Sequence, residues 1–147
     1  MNVLDTRQFR DDQPCGDRNG PPCAEVSRPD AQMLGPTQEA WLLAGMTDSP
    51  ARWNILAQQV PMMRRLLRGG GIAMDKWDAY PAARKRLLDG IVARRTPNPV
   101  VLSGDVHVAL ASTIRQRPED TASAPVAVEF RSEEHTSELQ SRVDLVC

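Results

Sequence analysis

The sequence predicts an α/β layered fold, and three observations carry that reading. Short apolar runs at residues 1–4 and 99–102 end in polar residues. Segments with apolar positions at helical spacing lie between them. A further apolar stretch and a last strand-like run follow, so that strand, helix and strand alternate along the chain. No internal repeat is present.

The elements follow in order. Residues 1–4 (MNVL) run into Asp5-Thr6-Arg7, which reads as a buried strand delivering polar residues at its C-terminal end. From 11 to 36 the chain carries Pro14, Gly16, Gly20, Pro21, Pro22, Pro29 and Gly35, a density of breakers that marks a loop. Residues 37–46 (TQEAWLLAGM) have an acidic first turn and apolar Trp41, Leu42 and Met46, as a short amphipathic helix requires. Residues 53–60 (WNILAQQV) fit helix or strand by periodicity alone, and Pro61 ends them either way. Residues 62–71 (MMRRLLRGGG) read as a loop or variable insertion, because three glycines are entropically costly inside an element.

Pro81 suits a first helical position. Ala83, Leu87, Leu88, Ile91 and Val92 then repeat at helical spacing, Arg94 and Arg95 complement the C-terminal dipole, and the helix stops before Pro97. A strand at 99–102, an apolar stretch at 106–114, a polar loop at 115–124 and a last strand at 125–130 complete the order.

Residues 131–147 are set apart. RSEEHTSELQS at 131–141 resembles the translated reading frame of a sequencing-library adapter, and RVDLVC fits its continuation; the competing reading is a natural polar tail. The domain expectation is therefore one unit over 1–130 and a disordered 131–147. Without the tail, 18 basic and 19 acidic residues become 16 and 15, so the formal charge moves from -1 to +1. Neither value suggests nucleic acid or an anionic membrane as partner. No apolar run approaches the roughly 18 to 20 residues that span a bilayer. His107 remains as the histidine of 1–130, with Cys15 and Cys23 as its cysteines.

Ser103-Gly104-Asp105-Val106-His107 carries the chemistry. It places a carboxylate and an imidazole two residues apart at the mouth of a strand, where alternate side chains point the same way. The carboxylate suits a hard cation and the imidazole a more borderline one. The same pair also fits a turn aspartate beside a hydrogen-bonded imidazole, and these five residues alone leave both readings open.

Five strings, LDTRQFRDDQPCGD (4–17), MLGPTQEAWL (33–42), SPARWNILAQQV (49–60), MDKWDAYPAARKRLL (74–88) and NPVVLSGDVH (98–107), resemble consecutive blocks of the PhoD-like alkaline phosphatases, within the metallophosphoesterase superfamily. The resemblance implies a phosphate ester hydrolase on a β-sandwich flanked by helices, of which this chain is a C-terminal part. It implies that Asp105 and His107 are metal ligands acting in catalysis through the bound metal, in a binuclear site that prefers iron with calcium in characterised members. It favours a strand for WNILAQQV and an enzyme exported from the cytoplasm. It also implies that the first metal-binding blocks are missing here, so that the chain alone is inactive. A non-catalytic binding or structural fragment and another metallohydrolase of the superfamily are the alternatives.

The remaining candidates are weighed residue by residue. Arg7 and Arg10 follow the first strand, where a guanidinium can bind phosphate in bidentate fashion; the alternative is pairing with Asp5, Asp11 or Asp12. Cys15 and Cys23 sit in a proline-rich loop with too little local structure to promise disulfide geometry. Trp41, Trp53 and Trp77 are expected in the core rather than on a ligand. Arg64, Arg65, Arg68 and Arg84-Lys85-Arg86 lack interleaved aromatics and a nucleic-acid-binding module, so solvated faces explain them. Gly69-Gly70-Gly71 is no phosphate loop, since no Gly-Lys-Ser/Thr follows.

Overall fold

A computed structural model describes residues 1–47, 49–105 and 109–131. Five strands form one sheet: β1 (Asn2–Val3), β2 (Asn54–Ala57), β3 (Pro99–Ser103), β4 (Leu110–Arg115) and β5 (Pro125–Arg131). Their order is β1-β2-β3-β5-β4. β1, β2, β3 and β5 run parallel, and β4 closes the edge antiparallel to β5. Two helices, α1 (Pro36–Met46) and α2 (Pro81–Ala93), pack on each other and supply the crossovers from β1 to β2 and from β2 to β3.

Local sequence explains the helix limits. Both helices begin on proline, whose missing N–H is no loss in the first turn. α2 ends where Arg95 takes a left-handed φ of 51°, with Thr96 N–H donating to Ile91 O at 3.2 Å and Arg95 N–H to Val92 O at 3.0 Å. Arg94 turns back to donate to Gly90 O at 3.2 Å. Gly90 itself faces α1: a Cβ there would stand 2.6 Å from Leu43 Cδ2, so the glycine sets the close approach of the two helices.

The core lies between the helices and one sheet face. Leu56 and Val101 from the strands meet Leu42, Met46, Leu87, Leu88 and Ile91 from the helices, with Met62, Met74 and Trp77 from the 58–80 connection. The other sheet face is different. One row across all five strands, Val3, Ala57, Leu102, Phe130 and Ala111, is apolar, yet Val3 is 66% and Phe130 48% exposed. The parallel strands of a sheet are ordinarily covered on both faces; among the described residues these are covered on one.

The ambiguous segment 53–60 is a strand over four residues, with Asn54 buried at its start and donating to Pro97 O at 2.8 Å. Three expectations need correction. Trp77 is fully buried, but Trp41 is 54% and Trp53 56% exposed, because they sit on outward faces of α1 and of the approach to β2. Arg84 is not a solvated residue: it is 5% exposed and donates from Nε to Met62 O at 2.8 Å, while Arg86 reaches Ala31 O at 2.8 Å and Glu39 Oε1 at 3.2 Å. Residues 62–71 do form a loop, but no free insertion, since Met62 is core.

Cys15 and Cys23 are joined in a disulfide. The proline-rich loop is more ordered than its composition suggests. Short 3-10 turns at Pro14–Asp17 and Ala24–Ser27 fold it, Glu25 accepts from Cys15 N at 2.7 Å, and Val26 enters the core. β5 runs one residue past the expected end at Phe130, and Arg131 is buried. The rest of the adapter-like segment lies outside the described residues.

Candidate metal and phosphate site

The carboxyl ends of the parallel strands face one way, and in open α/β sheets that edge is where ligands bind. β1 delivers Asp5, Thr6 and Arg7 there, β2 delivers Gln58 and Gln59, and β3 delivers Gly104 and Asp105.

Two side-chain amides hold the β1 end. Gln38 of α1 accepts from Asp5 N at 2.8 Å and donates to Asp5 O at 2.9 Å. Gln59 accepts from both Thr6 N and Thr6 Oγ1 at 2.7 Å and donates to Leu4 O at 2.8 Å. Asp5 Oδ1 then accepts from Arg7 N and Gln8 N, each at 2.8 Å, turning the chain sharply. Arg7 thus leaves from a fixed backbone. Gln59 also links the neighbouring strand end, its carbonyl accepting from Gly104 N at 3.3 Å.

Asp105 sits at φ 64°, a left-handed conformation that aspartate tolerates better than most residues. Its Oδ2 accepts from Arg7 Nη2 at 2.6 Å and from Lys76 Nζ at 2.5 Å. Lys76 also donates to Asp75 Oδ2 at 2.8 Å, and Arg7 Nη1 lies 3.9 Å from that same oxygen. Two cations and two carboxylates therefore interlock at an open edge, with Lys76 the most enclosed of the four. Partial burial works against the charge of Asp105, but Lys76 and Arg7 outweigh it and hold this carboxyl below its ordinary value.

The proposed residues are placed as follows. Asp105 and Arg7 meet directly; Arg7 pairs with Asp105 rather than with Asp5, Asp11 or Asp12. Arg10 turns away and donates to Asp75 O at 2.9 Å, fixing the backbone that carries Asp75 and Lys76. His107 lies outside the described residues. Among the described residues no group of three or more His, Cys, Asp or Glu side chains is arranged to hold a metal ion. The residues present fit a cation in kind: an ammonium already spans the Asp75 and Asp105 carboxylates. They do not fit in number, because hard cations take six or more oxygen ligands.

Sequence reasoning passed over Lys76, Asp75 and Glu129. An Asp-Lys pair just before a buried tryptophan was the available signal for the first two. Glu129 is fully buried on the core face of β5, beneath this edge. Its Oε1 accepts from Met62 N at 2.7 Å and Ser103 Oγ at 2.8 Å, and its Oε2 from Met63 N at 2.8 Å. It ties the end of β3, two residues before Asp105, to the loop after β2. A cleft of about 720 Å³ opens elsewhere, beside the start of α2, lined by Arg64, Trp77, Asp78, Lys85 and Arg117. The strand ends that carry Arg7 and Asp105 do not line it.

Comparison with known proteins agrees with this topology. A family profile described as PhoD-like phosphatase matches residues 1–145. Alkaline phosphatase D of Bacillus subtilis (strain 168) is 42% identical over 133 residues, which cover 88% of this chain and 23% of that protein. A solved structure described as that of PhoD superposes with a TM-score of 0.82 at 41% identity, over 89% of this chain and 26% of the other. The chain thus spans about a quarter of the length of the relatives it matches.

Proposed function

The chain belongs to the PhoD-like phosphatases, and from that premise we propose that it contributes one wall of a metal-dependent phosphate ester hydrolase site. The observation that supports this most directly is the meeting of Asp105 and Arg7 at the carboxyl ends of parallel strands. Asp105, with His107, is assigned to hold metal, and Arg7 to bind substrate phosphate.

The roles follow from chemistry. A phosphate ester is anionic and repels an oxygen nucleophile. Asp105 and His107 would hold bound cations, for which iron with calcium is the proposed pair, and these would supply charge neutralisation and acidify water. Asp105 would offer a hard cation a carboxylate oxygen, the one that Arg7 and Lys76 hold in this structure. Arg7 offers two parallel N–H groups, the geometry that suits phosphate oxygens. The amide clamps on residues 4–6 keep that fork from wandering, which lowers the ordering cost on binding.

Other oxygen, nitrogen or sulfur ligands are assigned to the part of the relatives that this chain does not span. The 147-residue chain by itself is accordingly proposed to be inactive, with 131–147 outside the folded unit. The bare apolar face of the sheet favours this reading over a self-sufficient structural fragment. Export from the cytoplasm is proposed from the family, and no described helix is long and apolar enough to cross a membrane.

A chimera tests the proposal. Residues 1–130 replace the matching quarter of Bacillus subtilis alkaline phosphatase D, and p-nitrophenyl phosphate hydrolysis is followed at alkaline pH. Turnover that a chelator abolishes, and that His107→Ala or Asp105→Asn lowers by several orders of magnitude, is expected. Chelator-insensitive turnover, or near-normal turnover of the His107→Ala chimera loaded with metal, overturns it.

A further inference from the structure

We propose that the cleft beside the start of α2 binds a small aromatic carboxylate, with Arg84 anchoring the carboxylate and three prolines bedding the ring. The inference goes beyond the phosphatase reading, since no part of it depends on Asp105, His107 or a metal.

The apolar walls come from separate stretches of chain. Pro22 enters from the loop that the Cys15–Cys23 disulfide closes, Pro81 from the first turn of α2 and Pro118 from the loop after β4, with Val26 and Ile72 between them. The volume of about 720 Å³ lies within the range of sites that enclose a small organic molecule. Proline faces are flat and apolar, and aromatic rings lie well against them. A proline has no rotamer freedom to lose on contact, so this bed is ordered before a ligand arrives.

Charge selects the polar group. Arg84 lines the cleft and is 5% exposed, yet among the described residues no carboxylate pairs with it. Its Nε donates to Met62 O at 2.8 Å and its Nη2 to Arg115 O at 3.4 Å, a long bond that is easily given up, and Nη1 makes none among the described residues. Glu129 stands one peptide away, accepting from Met62 N on the far side of that same residue. Burial accordingly pulls the guanidinium below its ordinary value. A carboxylate set edge-on to Nη1 and Nη2 relieves the cost of the buried charge through two parallel bonds. Most other charges in the cleft are already matched: Lys85 Nζ meets Asp89 Oδ2 at 2.5 Å, and Arg64 Nη1 meets Glu119 Oε2 at 3.3 Å. Asp78 is the acid left over, its Oδ2 accepting from Arg65 N at 2.9 Å. With Arg117 exposed beside it, the lining carries four cations against three acids, and an anion is the ligand it favours.

Benzoate is the probe. It is titrated into the 147-residue chain at neutral pH, and NMR follows the Arg84 Nε–H signal with the backbone amides of Ile72 and Arg117. All three signals should shift together and saturate. Benzyl alcohol, the same ring without the charge, and acetate, the charge without the ring, should each bind about tenfold more weakly. Arg84→Gln keeps a donor for Met62 O but removes the charge, and should weaken benzoate by about tenfold while leaving benzyl alcohol unchanged. Asp78→Asn keeps an acceptor for Arg65 N and removes the opposing carboxylate, and should tighten benzoate by about threefold. This second variant decides the matter if Arg84→Gln fails to fold by circular dichroism. Benzoate that moves none of the three signals, that binds no better than benzyl alcohol or acetate, or that is indifferent to a folded Arg84→Gln or Asp78→Asn variant overturns the proposal.

Discussion

Replacing Glu129 probes how a buried carboxylate holds the floor of the site. Three donors converge on it, and it has no exposed surface. Glu129→Gln keeps the volume but turns one acceptor into a donor. Whichever way the amide faces, one backbone N–H, of Met62 or of Met63, is left against an NH2 group. The Ser103 hydroxyl can rotate to suit either pose. An orphaned N–H costs about 1 to 3 kcal/mol, and the two surviving bonds lose their charge assistance, about 1 kcal/mol each. Relief from burying a charge offsets part of this, leaving a net loss of about 2 to 3 kcal/mol. Glu129→Leu orphans all three donors and should cost about 4 kcal/mol or more. Urea unfolding followed by tryptophan fluorescence measures both, and hydrogen exchange at the Met62 and Met63 amides localises the effect. The order wild type, Gln, Leu is the essential result. A Leu variant within about 0.5 kcal/mol of wild type would refute the claim that these bonds stabilise the strand end.

Two further outcomes are expected. Gly45 lies on an exposed stretch of α1 with nothing within 4 Å of a Cβ position, so Gly45→Ala should stabilise the chain by about 0.5 to 1 kcal/mol in the same urea assay, and a loss of stability would show that this helix turn is not as described. Burial raises the Asp78 carboxyl above its ordinary 3.8, so the folded state disfavours its charge. No penalty exists below the unfolded-state value; it grows as pH rises and is complete above the folded-state value. Thermal melts should therefore show Asp78→Asn gaining on wild type from about pH 3 to pH 7, whereas a difference independent of pH would contradict the shift.

The sequence made much of the fold legible because its punctuation is strong. Pro36, Pro81 and Pro97 bound the two helices, and 99–102 and 125–130 read as strands from their position between breakers and loops, each one residue short of the observed strand. Residues 53–60 were open by periodicity because a four-residue strand beginning on a buried asparagine has no clean alternation. β5 misleads by pattern alone: Val128 and Phe130 point outward while Ala127, Glu129 and Arg131 point to the core side, the reverse of an ordinary amphipathic strand. Arg84 was readable, since it shares a helical stripe with Leu88 and Ile91. The disulfide was not, because Cys15 and Cys23 are brought together by two turns that composition does not specify. At the site, Asp105 and Arg7 stood out by type and spacing, but Lys76 is 29 residues from Asp105 and meets it only through the tertiary fold.

The sheet order also fixes the sequence in which the site comes together. β4 and β5 are neighbours joined by a short loop, so their pairing closes little chain. β1 contributes two residues, Asn2 and Val3, and must find Leu56 and Ala57 across more than fifty positions. It is the strand with the largest closure entropy and the fewest ladder bonds, and so the last to dock and the first to open. Arg7 rides on that strand, whereas Asp105 rides on β3 in the sheet interior. Opening of β1 has also to break the Gln38 and Gln59 bonds to residues 4–6, and it then withdraws the arginine while the carboxylate stays in place. Amide exchange should report it as early loss of protection at Leu4 and Thr6, with Val101 and Glu129 protected to the global unfolding limit.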